Sequence, residues 1–135
     1  MISALIDTHA FVWFLTDDPQ LSSPAHAFIY DHWRQGNLLA VSAISIVEIV
    51  YLEEKGRIPS GFVSSVVTLF SEHWQFPFVL VPLDMSILQI LPQIPRTSVP
   101  DMPDRIIVAT AKALDVPLVT KDQNIHQSGL VPVIW

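Results

Sequence analysis

The sequence predicts an α/β domain in which helices cover both faces of a mostly parallel sheet of four or five strands. Short apolar runs bounded by polar or turn residues recur at 2–6, 38–41, 76–81, 118–120 and 131–134, and longer stretches with helix start and stop signals lie between them. Strands that alternate with helices pair in parallel through crossovers, and the crossovers bring helices onto the sheet's faces. A chain of 135 residues is long enough to bury a core without disulfides or a structural metal, so residues 1–135 read as a single domain with no linker or internal repeat.

The first strand, 2–6, is apolar throughout its core and ends at Asp7-Thr8, where a helix over 10–15 begins. Thr16-Asp17-Asp18-Pro19 reads as a solvated turn. Ser23 and Pro24 suit the N-cap and first position of the next helix, which Gly36 closes and in which His26 and His32 read as ordinary helix residues. After the strand at 38–41, Ser42 can cap a helix over 44–55 that ends at Gly56, its last turn Glu53-Glu54-Lys55 solvated. A further helix spans 62–70. Pro77 marks the following run as an edge strand, because proline has no N–H for a ladder. Asp84 suits the cap of a short helix over 85–91, and the proline-dense run 91–103 reads as a loop. Pro103 fits the first turn of a helix whose apolar body covers 105–114, and Asp115-Val116-Pro117 ends it, since proline disfavours α geometry in the residue before it. The strand at 118–120 ends at Lys121-Asp122, and Pro132 makes the last strand, 131–134, an edge.

The chain has no cysteine, which excludes a disulfide framework and a thiolate metal site and fits a cytoplasmic protein. Asp7 interrupts the first apolar run far short of a membrane span, and no targeting segment is read. Hydrophobic residues make up 50% of the chain and charged ones only 15%, so some apolar surface is expected to meet a partner, a homodimer among the options. The net charge of −6 argues against nucleic-acid binding by a broad basic face. If nucleic acid is the substrate, a cation must help. Trp13, Trp33, Trp74 and Trp135 read as core or interface anchors rather than a base-stacking platform.

Four acids fall on one rim of such a sheet: Asp7 at the end of the first strand, Glu48 on an early turn of the third helix, Asp104 at the start of the sixth and Asp122 after the strand that follows. The carboxyl ends of the strands are where open α/β sheets bind ligands. Each acid also has a plainer reading. Asp7 can be a helix cap, Glu48 can mark the wet stripe of its helix, and Asp101 and Asp104 are spaced like cap and third residue of one helix. Two like charges about 4 Å apart at an effective dielectric of about 20 repel by about 4 kcal/mol, so all four acids ionise together only with protons or a divalent cation present. Oxygen donors without cysteine suit Mg²⁺ or Mn²⁺, the ions of phosphodiester hydrolysis.

Four passages together resemble the PIN-domain family, and within it the VapC-type ribonuclease toxins of prokaryotic toxin–antitoxin pairs. They are Ala4-Leu5-Ile6-Asp7-Thr8-His9-Ala10-Phe11-Val12-Trp13, Val41-Ser42-Ala43-Ile44-Ser45-Ile46-Val47-Glu48-Ile49, residues 101–111, and Pro117-Leu118-Val119-Thr120-Lys121-Asp122. The resemblance implies a three-layer α/β/α sandwich, with Asp7, Glu48, Asp104 and Asp122 as the catalytic, metal-binding acids and Thr8, Asp101 and Thr120 as residues beside them. It implies Mg²⁺- or Mn²⁺-dependent cleavage of single-stranded or structured RNA, and an antitoxin protein that blocks the site. The chain departs from the nearest subgroup at Val99-Pro100, where a His-Arg pair is common.

Two other readings compete. A catalytically inactive PIN domain used only for binding a protein would typically lack one or more of the acids, and here all four are present. A haloacid-dehalogenase-like phosphatase needs a second Asp two residues after the first, where His9 stands, and a phospho-receiver needs paired acids near the first strand, which Asp7 lacks.

Overall fold

Five strands form one sheet in the order β3-β2-β1-β4-β5, every neighbouring pair parallel, in a computed structural model that describes residues 1–72 and 75–135. In chain order the elements are β1 (Ile2–Ile6), α1 (Thr8–Leu15), α2 (Ser23–Arg34), β2 (Leu38–Ser42), α3 (Ala43–Glu54), α4 (Phe62–Glu72), β3 (Phe78–Val81), α5 (Met85–Ile90), a 3₁₀ turn (Leu91–Gln93), α6 (Met102–Leu114), β4 (Leu118–Val119), α7 (Gln123–Ser128) and β5 (Val133–Ile134).

The period-two alternation of a strand sorts side chains into two cores. Ala4 and Ile6 of β1, Leu39 and Val41 of β2 and Val119 of β4 face a cluster built with Phe11, Ile29, Ile49 and Val66 from α1 to α4. Leu5, Ala40 and Leu118, their neighbours in sequence, face the opposite cluster with Ile87, Ile107, Val108 and Ile125 from α5 to α7. The result is three layers, helix, sheet, helix. The central strands are apolar on both sides because both sides are covered.

From β1 the chain winds outward through β2 to β3, and the connection through α5 and α6 then carries it back past them to β4, on the other side of β1. Winding therefore reverses between β1 and β4, and the crevice beyond their carboxyl ends is the topological switch point. The edge positions read from Pro77 and Pro132 hold for β3 and β5.

Three local expectations change. Ser22, not Ser23, caps α2, its hydroxyl accepting from the Ala25 N–H at 3.2 Å, and Pro24 moves one place inward. The run 91–103 is not all loop, because residues 91–93 complete a 3₁₀ turn directly after α5 and α6 starts at Met102. Arg105 holds that run down: Nε and Nη2 donate to the Ile94 carbonyl at 3.2 and 2.9 Å, and Nη2 also reaches the Leu91 carbonyl at 3.4 Å. A seventh helix, α7, follows Asp122, with a single apolar residue and so no apolar period to show in sequence. Trp13 and Trp135 pack partly buried against the first core, Trp33 is exposed, and Trp74 lies outside the described residues. Among the described residues no helix is long and apolar enough to cross a membrane.

Leu118 is fully buried in a two-residue strand that must reach across the sheet to α6 and α7. Leu118→Ala should lower stability by roughly 2–5 kcal/mol. Urea unfolding of the two proteins measures it, and a loss under about 1 kcal/mol would mean that this layer repacks freely.

Candidate active site

Asp7 leaves the end of β1, and its side chain turns back to cap α1, Oδ1 accepting from the Ala10 N–H at 2.9 Å. Its own N–H donates to the Val119 carbonyl at 3.1 Å, which ties the end of β1 to the end of β4. Asp122 follows β4 and caps α7 in the same manner, Oδ1 accepting from the Ile125 N–H at 3.0 Å. Both acids are therefore caps and rim residues at once. A cap uses one carboxylate oxygen and leaves the other for the crevice.

Glu48 sits on α3, which crosses the rim between layers: Ile44 near its start packs against the second core and Ile46 and Ile49 against the first. The Thr8 hydroxyl donates to Glu48 Oε1 at 2.5 Å. Thr8 and Ser45 hydroxyls lie 2.8 Å apart, both buried. A hydroxyl has one proton and the carboxylate is the stronger acceptor, so Ser45 supplies the proton of that second bond. The chain Ser45, Thr8, Glu48 fixes one carboxylate oxygen.

Asp104 lies in the first turn of α6. Asp101 occupies the N-cap position by backbone but makes no capping hydrogen bond, and its side chain is exposed. The expectation that its oxygens are turned onto its own helix is overturned. Pro103 contributes no N–H to the first turn, so that turn has one donor fewer to satisfy. Thr120 is fully buried, and its Oγ1 accepts from the Asp122 N–H at 3.1 Å. Its carbonyl lies 2.7 Å from His126 Nε2, which places the imidazole proton on that nitrogen.

These residues line one open basin of about 330 Å³, bounded by Asp7, His9, Trp13, Glu48, Asp101, Asp104, Lys121 and Asp122. All four predicted acids are there, and so is Asp101. Of the other lining residues, sequence reading tied only His9 to the acids and passed over Trp13 and Lys121. Their signals were the i, i+4 spacing of His9 and Trp13 at the start of α1 and the position of Lys121 between Thr120 and Asp122.

Burial raises the pKa of Asp7, opposed mainly by a hydrogen bond from the Thr120 hydroxyl and by the Ala10 N–H. Burial raises that of Glu48 too, against the Thr8 hydroxyl and the nearby His9, with Asp101 and Asp7 pushing it further up. Asp104 has no such donor. Burial comes first, then repulsion from Asp122, Asp101, Glu48 and Asp7, and its pKa stands at about 7. Asp7, Glu48 and Asp104 favour protons, so the basin is short of positive charge, and its carboxylates are hard oxygen donors, a set that fits Mg²⁺ or Mn²⁺. Among the described residues no three acids or histidines are drawn close enough to enclose an ion.

The PIN domain family matches residues 4–129. The chain is 30% identical over 138 residues to ribonuclease VapC22 of Mycobacterium tuberculosis, covering the full length of both. In fold it is similar to VapBC2 from Rickettsia felis bound to a DNA fragment from its promoter, with a TM-score of 0.70 at 16% identity over 98% of this chain and 97% of that one. It is similar also to a toxin–antitoxin complex from Klebsiella pneumoniae, TM-score 0.62 at 16% identity, over 98% and 97%.

An Asp whose pKa is about 7 when folded and near its ordinary 3.8 when unfolded binds more protons in the folded state between those values. Stability of the metal-free protein should therefore fall as pH rises from about 4 to 7, with the loss fully present above that range. Asp104→Asn removes this contribution. Urea unfolding in chelator should show the variant gaining on the parent between pH 5 and pH 8; a constant difference would show that Asp104 titrates normally.

Proposed function

The chain belongs to the PIN-domain family, and from that premise we propose that it is a metal-dependent endoribonuclease, hydrolysing phosphodiester bonds of single-stranded or structured RNA as the toxin of a toxin–antitoxin pair. The observation that carries this reading is the gathering of acids from four separate elements into one basin at the switch point of the sheet. The full-length relative at 30% identity is a ribonuclease, which supports the same chemistry. The reading takes residues 1–135 as one PIN-like domain acting in the cytoplasm.

On this reading Asp7, Glu48, Asp104 and Asp122 hold Mg²⁺ or Mn²⁺. The ion, when bound, supplies Lewis acidity toward a phosphate oxygen and a more acidic water. The protein's own part is to fix the acids and prepare their charge. Ser45 and Thr8 hold one oxygen of Glu48 in place. Thr120 bonds the backbone of Asp122 and its hydroxyl favours the charged form of Asp7, so one buried side chain serves both acids. Asp104, which burial and its four acidic neighbours hold at a pKa of about 7 in the ion's absence, is the acid of the set whose charge most needs the ion.

Asp7→Asn separates function from capping, because Asn caps a helix as well as Asp does. RNA cleavage should require Mg²⁺ or Mn²⁺, stop in excess EDTA and be lost in both Asp7→Asn and Asp104→Asn, with Asp7→Asn keeping the parent's melting temperature. Undiminished cleavage in EDTA would refute a metal mechanism.

We place a homodimer contact and the antitoxin on the apolar surface that the fold leaves open. Val47, Tyr51, Met85, Leu88 and Met102 are exposed, with Met85 66% and Met102 63% accessible. Exposed side chains of this size in number mark partner surfaces. Light scattering at micromolar concentration should give at least a dimer mass. A monomer mass would remove the self-association part of the reading.

A further inference from the structure

We propose that Lys121, with Trp13 and His9, forms the substrate-facing wall of the acidic basin, the Lys121 ammonium taking a phosphate of single-stranded RNA and the two rings taking the adjoining base. The inference rests on the nuclease reading and names how that site holds its substrate.

The first argument is electrostatic. Of the residues that line the basin, five are carboxylates, Asp7, Glu48, Asp101, Asp104 and Asp122, and the one ammonium among them is that of Lys121. Apart from an ion held by the acids, the positive charge that a phosphodiester meets in such a space is the ammonium of Lys121. A chain of net charge −6 has no broad basic face to do the same work from a distance.

The second argument is geometric. His9 and Trp13 are one helical turn apart on α1, their ring centroids 5.6 Å apart and their planes tilted by 46°. Lys121 Nζ lies 5.7 Å from the Trp13 ring centroid. On another side Trp13 meets Trp135 at 6.1 Å, and it packs partly buried against the first core, so the ring has little freedom to move. A rigid aromatic edge beside a cation is the composition of single-strand sites, in which bases stack and the backbone is held by charge.

The third argument concerns how Lys121 is mounted. Its neighbours are tied on both sides: the Thr120 N–H donates to the Ile134 carbonyl at 3.3 Å, the Asp122 N–H to Thr120 Oγ1 at 3.1 Å, and Asp122 caps α7. The backbone of Lys121 is thus fixed beside an acid of the basin, while its side chain is exposed. A contact with an aromatic face leaves the three ammonium N–H groups available for phosphate oxygens. Trp13 is a core anchor, as read from sequence, and this role is added to that one.

The test is binding of a fluorescein-labelled, phosphorothioate-linked single-stranded oligoribonucleotide in Mg²⁺, followed by anisotropy over a range of salt concentrations and checked for intactness afterwards. Lys121→Met should weaken binding roughly tenfold at low salt and lower the slope of log Kd against log salt by about 0.7, the loss of one phosphate contact on a single strand. Lys121→Arg should retain both. Trp13→Leu should weaken binding with the salt slope unchanged, and Trp13→Phe should retain most of the affinity. In cleavage assays Lys121→Met should raise KM and leave kcat, and its melting temperature and calorimetric Mg²⁺ affinity should not fall. A Lys121→Met protein with the parent's affinity and slope, or one that loses melting temperature but not slope, makes the lysine a structural clamp on Trp13 and overturns the inference alone. No binding by the parent protein overturns both the inference and the nuclease reading.

Discussion

The pairing of β1 with β4 is the constraint on which the rest depends. The Leu5 N–H donates to the Pro117 carbonyl and the Asp7 N–H to the Val119 carbonyl, so the ends of two strands far apart in sequence lie side by side. Because β2 occupies the other side of β1, the winding must reverse there, and helices from both layers diverge at that point. The space they leave is the basin. Without this pairing Asp7 and Asp122 would end strands at unrelated places.

A second constraint follows from charge. The basin holds carboxylates at a depth where burial disfavours ionisation, and the structure meets this unevenly. Asp7 and Asp122 have backbone N–H donors through their caps, Glu48 has the Thr8 hydroxyl, and Asp104 has repulsion from its neighbours. The same interactions thus start two helices and fix two acids in place. A site assembled from caps needs no separate scaffold, and its acids are as fixed as the helices they start.

The sequence by itself determined the layer architecture and the identity of the acids. Apolar runs broken by capping signals give strands and helices in order, and an acid placed where a strand ends is on the ligand-binding rim whatever the details of packing. Edge strands were legible from Pro77 and Pro132, because a missing N–H is a local property. What only the tertiary structure decided is everything that depends on a partner distant in sequence. Asp101 has both the spacing and the extended backbone of a cap, yet its side chain makes no capping hydrogen bond. Helix α7 holds a single apolar residue, Ile125, so it has no apolar period to read, and stands because Asp122 caps it and Ile125 is buried. The local marks of Trp13, His9 and Lys121, a helical spacing and a place beside Asp122, do not say that the three meet. They come together because β4 lies against β1, and a contact between residues 13 and 121 is fixed by chain topology rather than by any property of the residues themselves.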